Sequence, residues 1–204
     1  MVNQINENPY LLPGIKLGVH VLDSCDSETY ALEQTFEFIK GFMTRIQGNS
    51  SKFTCPDESK PKYREGKFDK FVGLIGAQSS SVSITLANIL RLFHVPQISY
   101  FSTSPTLSNK MRFEYFFRTV PSDVNQAQAI LQVLREFDWT YVSIVYSDTD
   151  YGNKGYDLLS ALGHRYNICF SHPQTINVEN QKSDADYDRI ITKLVNNNVK
   201  GEFT

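Results

Sequence analysis

GLIGAQSSSVSITLANILRLF, residues 73–93, decides how the rest of the chain reads. An apolar run (Phe71, Val72, Leu74, Ile75) stops at Gly76, serines occupy 79–81, and apolar residues then recur with helical spacing at Val82, Leu86, Ile89, Leu90 and Phe93. The pattern predicts a strand over 70–76, a polar loop, and a helix at about 80–93. A strand that feeds a helix start is the first half of a β-α-β unit.

Outward from this stretch the same alternation repeats. Upstream, GIKLGVHVLD (14–23) alternates Ile15, Leu17, Val19 and Val21 and reads as a strand; SETYALEQTFEFIKGFM (27–43) places Leu32, Phe36, Ile39 and Met43 on one helical face. Residues 46–69 are polar, with proline and charge, and read as a long mobile loop. Downstream come strands at PQISY (96–100), YFFRTV (115–120), TYVSIVYS (140–147) and NICFS (167–171). Helices are expected at about 123–138, with Ala127, Ile130, Leu134 and Phe137 inward, at 152–166, and at 183–197. Strands alternating with helices imply parallel sheets flanked by helices, an α/β architecture. Two sheets are expected, one before and one after about residue 117, with RTVPSD (118–123) as the crossing point.

Composition sets the outer bounds. The chain has 204 residues, 41% hydrophobic and 21% charged, with a net charge of −2, so nothing global points to nucleic acid or an anionic membrane. No apolar run approaches the roughly 20 residues that cross a bilayer, and the start lacks the pattern of a signal peptide. VNQINENP (2–9) reads as a helix tail stopped before Pro9 and VKGEFT (199–204) ends where a strand could begin, which suggests a fragment of a longer protein. Cys25, Cys55 and Cys169 are far apart without CxxC spacing; idle thiols and disulfides are both open readings. Asn49-Ser50-Ser51 is an N-glycosylation sequon.

Ligands of α/β sheets gather where strands end and helices begin, beside free N–H groups and a positive dipole end. The serine loop is therefore a candidate carboxylate or phosphate site; the plainer alternative, which serine chemistry alone favours, is a single N-cap. A Walker loop fails because no lysine follows, and a nucleophile elbow fails because no glycine follows the serines. His20, His94, His164 and His172 lack metal-type spacing, and His94 falls about 20 Å from the serines along the same helix at about 1.5 Å per residue. No metal, cofactor or catalysis is expected. Two more polar loops follow strands: SYFSTSPTLS (99–108) and SDTDYGNKG (147–155), the latter with Tyr151. Asp123 lies three residues before Gln126, a capping-box-like pattern.

GAQSSSVSITLANILRLFHVPQISYFSTSPTLSNKMRFEYFFRTVPSDVNQAQAILQVLREFDWTYVSIVYSDTDYG (76–152) closely resembles the extracellular ligand-binding domain of metabotropic glutamate receptors, class C G-protein-coupled receptors with a bilobed Venus-flytrap module of periplasmic-binding-protein type. VPQISY, RTVPSD and WTYVS carry the match, which is weakest at 46–69 and 173–186. The resemblance implies part of lobe 1 in 1–117 and part of lobe 2 in 118–204. It implies that Ser80 binds the α-carboxylate of an L-amino acid, and that Thr103, with the backbone of Phe101 and Ser102, contacts carboxylate and ammonium. Tyr151 closes over the ligand from the second lobe, and Asp123 lies near the ammonium. Phe101 departs from the small residue usual there, and the residues that hold a glutamate side chain belong to segments outside this chain.

The same resemblance implies that Cys55 links two protomers, that Cys25 pairs with an upstream cysteine, and that Cys169 pairs with a downstream cysteine-rich domain. It implies a homodimer face near Leu32, Ile89, Leu92 and Phe93. The whole protein would sit in the plasma membrane with this region outside, followed by a seven-helix domain that signals through a G protein. The expected function is sensing an L-amino acid, L-glutamate first, by lobe closure. A class C receptor for another amino acid and a soluble periplasmic-type carrier are the alternatives; a serine hydrolase using Ser80 lacks a base within reach.

Overall fold

The computed structural model describes residues 2–47, 56, 71–177 and 184–196. Its chain divides into two compact units, Met1–Lys70 and Phe71–Thr204.

The first unit holds helices α1 (Val2–Glu7) and α2 (Glu28–Gln47). Residues 14–23 form no strand, contrary to their alternation. A strand needs a ladder for its backbone, and here a side chain takes that role: the Asn6 amide donates to the Leu17 carbonyl at 2.9 Å and accepts the Leu17 N–H at 2.7 Å. The inner face of α2 is also turned from the expected one. Ala31, Thr35, Phe38 and Ile39 are buried, while Leu32 is half-buried and Phe36 exposed. Thr35 tolerates burial because its hydroxyl donates to the Ala31 carbonyl at 2.8 Å. The side chain of Met43, and the expected loop from residue 48 on, lie outside the described residues.

The second unit carries the site. Strands β1 (Leu74–Ile75), β2 (Gln97–Ser99) and β3 (Phe116–Arg118) form a parallel sheet in sequence order. Strands β4 (Tyr141–Ser147) and β5 (Cys169–Ile176) form a second parallel pair. Helices α3 (Ser80–Leu90), α4 (Asp123–Glu136), α5 (Asp150–Gly163) and α6 (Asp184–Asn196) alternate with them. The register puts Gln97 beside Phe116 on one face, where Phe116, Phe113, Leu107 and Ala87 make a buried cluster. The next row, Ile75, Ile98 and Phe117, is exposed, Ile75 to 83%.

α3 buries Val82, Leu86 and Leu90 as its spacing predicts, and with them Ser80, Ser83 and Ala87. The buried line of α4 is Asp123, Ala127 and Leu131 rather than Ala127, Ile130, Leu134 and Phe137. Those three residues recur at i, i+4 and i+8, and a hydrophobicity count passes over the aspartate and undervalues the alanine.

Three helices hand over to strands by one device. His94, Asp138 and Asn167 adopt left-handed φ of 55, 55 and 56°. In each case the next N–H reaches back to a helix-end carbonyl: Val95 to Leu90 (3.1 Å), Trp139 to Leu134 (2.8 Å), Ile168 to Gly163 (3.0 Å). These are Schellman-type closures, and β2, β4 and β5 start two or three residues later.

Candidate functional site

The serine loop is held by hydroxyls. The Ala77 carbonyl accepts from Ser99 at 2.7 Å, Ser102 at 3.1 Å and Ser83 at 3.2 Å. Ser83 also accepts the Ala77 N–H at 3.1 Å and lies 2.7 Å from the Ser102 hydroxyl. Ser102 accordingly fixes two loops against each other; its own N–H donates to Ser99 Oγ at 3.0 Å. Ser83 and Ser99 are functional supports that the sequence reading missed, although a fourth serine one turn after the run was visible. Replacing Ser83 by Ala leaves the part-buried Ala77 N–H without its acceptor, while the Ser102 hydroxyl keeps its carbonyl partners, so stability should fall by about 1 kcal/mol. A urea midpoint unchanged from wild type would refute the supporting role.

Ser79 stands at the N-cap of α3 in extended conformation, but its hydroxyl makes no capping bond and instead lies 3.0 Å from the Ser81 hydroxyl. The plain N-cap reading thus holds for position and not for chemistry. Ser80 is buried, and its Oγ accepts the Ser104 N–H at 3.1 Å. With a lone pair engaged there, the hydroxyl proton remains to be donated, next to the positive end of an 11-residue helix.

Thr103 follows at the loop after β2. Its hydroxyl lies 3.0 Å from the Tyr151 phenol, a contact between the end of the first sheet and the start of α5. Its carbonyl accepts the Asp123 N–H at 2.9 Å. The N-cap of α4 is Ser122, whose hydroxyl accepts the Val124 N–H at 3.4 Å, so the capping box is not formed by Asp123 and the carboxylate stays uncommitted to a cap. Asp123 is only 9% exposed and its Oδ1 has no hydrogen-bond partner. Buried carboxylate oxygens are rarely left so; one that is has room for a cationic donor.

Tyr151 is placed by the turn SDTDYG. Thr149 caps α5 by accepting the Gly152 N–H at 3.1 Å. Burial first, and then the Asp123 carboxylate as neighbour and hydrogen-bond acceptor, push the Tyr151 phenol above its ordinary pKa, against the lowering from Thr103. The phenol therefore keeps its proton at neutral pH and serves as a donor.

Thr103, Asp123 and Tyr151, three of the expected ligand residues, thus come together from the loop after β2, α4 and α5; Ser80 binds the loop that carries Thr103, and Ser102, within that loop, binds back to the serine loop. The ring of Phe101 is 60% exposed, and its N–H donates to Ser99 Oγ at 3.2 Å. Among the expected dimer residues, Leu92 is 67% exposed and Ile89 and Phe93 are half-buried. Cys25 and Cys169 are exposed thiols; Cys55 and Asn49 lie outside the described residues. Among the described residues no helix is long and apolar enough to cross a membrane.

Polar groups of both charge preferences thus stand at the mouths of parallel strands. The family model described as receptor family ligand binding region matches residues 2–201, and the chain belongs to that family, whose architecture is periplasmic-binding-protein-like. The metabotropic glutamate receptor of Drosophila melanogaster is 40% identical to it over 194 residues, 95% of this chain and 20% of that receptor. The chain is a homologue of the class C metabotropic glutamate receptors and spans 20% of the length of that relative.

Proposed function

We propose that this chain forms part of an extracellular amino-acid sensor, with the α-carboxylate of an L-amino acid at Ser80 and Thr103 and its ammonium at Asp123 and Tyr151. The observation that carries the reading is the buried, unpartnered Oδ1 of Asp123 beside the Thr103–Tyr151 hydroxyl pair. A carboxylate, a phenol ring and a hydroxyl are what an ammonium group needs, the ring face contributing roughly 0.5–2 kcal/mol. Residues 1–117 and 118–204 serve as parts of two lobes, and a ligand gripped by Thr103 on one side and Tyr151 on the other favours the closed arrangement by differential affinity. L-Glutamate is the first candidate, by analogy with the relative's name.

In the whole protein this reading implies a homodimer with Leu32, Ile89, Leu92 and Phe93 at its face, and cysteines paired outside the chain. It also implies a plasma-membrane receptor that signals through a G protein. The test is calorimetric titration of the full-length protein with L-glutamate and a panel of L-amino acids, beside a Ser80→Ala, Thr103→Ala double variant. Saturable glutamate binding that the double variant loses is the expected result. Binding of another amino acid instead keeps the site and changes the ligand. Equal binding by the double variant refutes the site.

A further inference from the structure

Arg118 is hydrogen-bonded to no side chain assigned to the ligand, yet it grips the segment that carries Thr103. It ends β3, and its Nη1 donates to the carbonyls of Ser104 at 2.9 Å and Ser102 at 3.3 Å, while Nη2 donates to the Ser108 hydroxyl. The carbonyl between those two, that of Thr103, is the one taken by the Asp123 N–H. Three successive carbonyls are therefore claimed, two by a guanidinium and one by the start of α4. Only arginine fits this arrangement: its planar fork carries five donors in fixed directions, whereas a lysine ammonium is a point charge on a flexible stem. Burial lowers the pKa of the guanidinium, and the nearby Asp123 carboxylate partly offsets that by favouring the charged form.

We infer that Arg118 is a positioning residue of the amino-acid site: it holds the backbone on both sides of Thr103, and so aims the Thr103 hydroxyl at Tyr151 and moderates the negative field at Asp123. The hydroxyl has one free torsion once the backbone is fixed, so the 3.0 Å pair with Tyr151 depends on that grip. The segment is otherwise a loop between a three-residue strand and a four-residue 3₁₀ turn, with little ladder of its own. The inference rests on the proposed amino-acid reading for its effect on affinity, and on geometry alone for its effect on the loop.

The experiment separates the two. In the full-length protein, Arg118→Met and Arg118→Lys are compared with wild type by amide hydrogen exchange without ligand and by titration with L-glutamate. Arg118→Met should speed exchange of the peptide spanning 101–108 and of Asp123 by about tenfold or more, since each lost charged hydrogen bond is of that order. Exchange in β4 and β5 should stay unchanged, which a general loss of stability would not allow. Glutamate affinity should fall by about tenfold, and Arg118→Lys, which can satisfy one carbonyl, should recover part of both effects. Unchanged exchange at 101–108 in Arg118→Met overturns the inference, as does acceleration spread equally over β4 and β5. Should Arg118→Met not fold, Arg118→Lys decides by the same peptides. A wild-type protein silent toward every amino acid defeats the proposed function and leaves the exchange result to judge Arg118.

Discussion

Asp123→Asn should cost L-amino-acid binding at least about 30-fold while leaving the melting temperature of the ligand-free protein nearly unchanged. The two halves of this expectation come from one fact, the unpartnered Oδ1 in a residue that is 9% exposed. An ammonium brought against that buried oxygen makes a charge-assisted hydrogen bond. Removing one member of such a pair costs roughly 2–5 kcal/mol, and the lower bound is the 30-fold quoted. Without ligand the change removes the carboxylate's attraction to the Arg118 guanidinium and its contact with the Tyr151 phenol, and both of those groups are partly exposed, where such pairs contribute little. The carboxylate sits in the first turn of α4, where a negative charge is worth about 0.3–1 kcal/mol, and against that stands the penalty of burying a charge with an oxygen unmet. The Asn amide keeps the shape, and the backbone bond from residue 123 to Thr103 does not involve the side chain. Calorimetry and a thermal melt on the same preparation check both halves. A large fall in melting temperature with binding intact would make Asp123 a structural residue and refute its ligand role.

Much of this arrangement was legible before any coordinates. Strands β2, β3 and β4 and helices α3, α4 and α5 fall where short apolar runs and 3.6-residue spacing put them, because local pattern and tertiary packing agree there. The failures have one physical source: polar groups that replace backbone or apolar partners. Residues 14–23 have the alternation of a strand but form none, and the backbone of Leu17 is paired with the Asn6 side chain. The inner faces of α2 and α4 include the polar residues Thr35 and Asp123, the first bonded to its own helix and the second buried at the start of α4. Periodicity counts apolar residues, so it cannot see either.

The site itself was only partly readable. Serine hydroxyls in a strand-to-helix loop announce a polar function, but not which serine does what. Ser80 presents a donor because Ser104 occupies its lone pair, whereas Ser83, Ser99 and Ser102 spend their hydroxyls on the Ala77 carbonyl and on each other. Nothing in residue type separates these fates; the register of β2 against the start of α3 does. Arg118 was hidden for a related reason, since an arginine at a strand end reads as a solvated charge until the carbonyls it faces are known.

The same Gly→Ala change should act in opposite directions at two sites three residues apart on α5. A Cβ at Gly152 would stand 2.1 Å from the Ser147 carbonyl oxygen and 2.4 Å from Ser147 Oγ, whereas at Gly155 it would meet nothing within 4 Å. Ser147 closes β4 and its carbonyl is backbone, so α5 must move away from the sheet or lose its first turn. Overpacking of this kind costs about 1–3 kcal/mol, and a backbone obstacle puts the cost at the upper end. Gly155→Ala, in open space within a helix, should instead gain about 0.5–1 kcal/mol, because alanine has less backbone freedom to lose. The functional consequence separates them further. Tyr151 precedes Gly152, and the Thr149 cap that fixes both bonds to the Gly152 N–H. Displacing that turn breaks the Thr103–Tyr151 contact, so Gly152→Ala should weaken amino-acid binding as well as stability, while Gly155→Ala leaves affinity as it was. Urea midpoints of the two variants, with one glutamate titration each, decide the matter: shifts of the same sign would show that the close approach of α5 to β4 does not constrain the chain. The close packing that demands a glycine at 152 also sets the tyrosine beside it against Thr103.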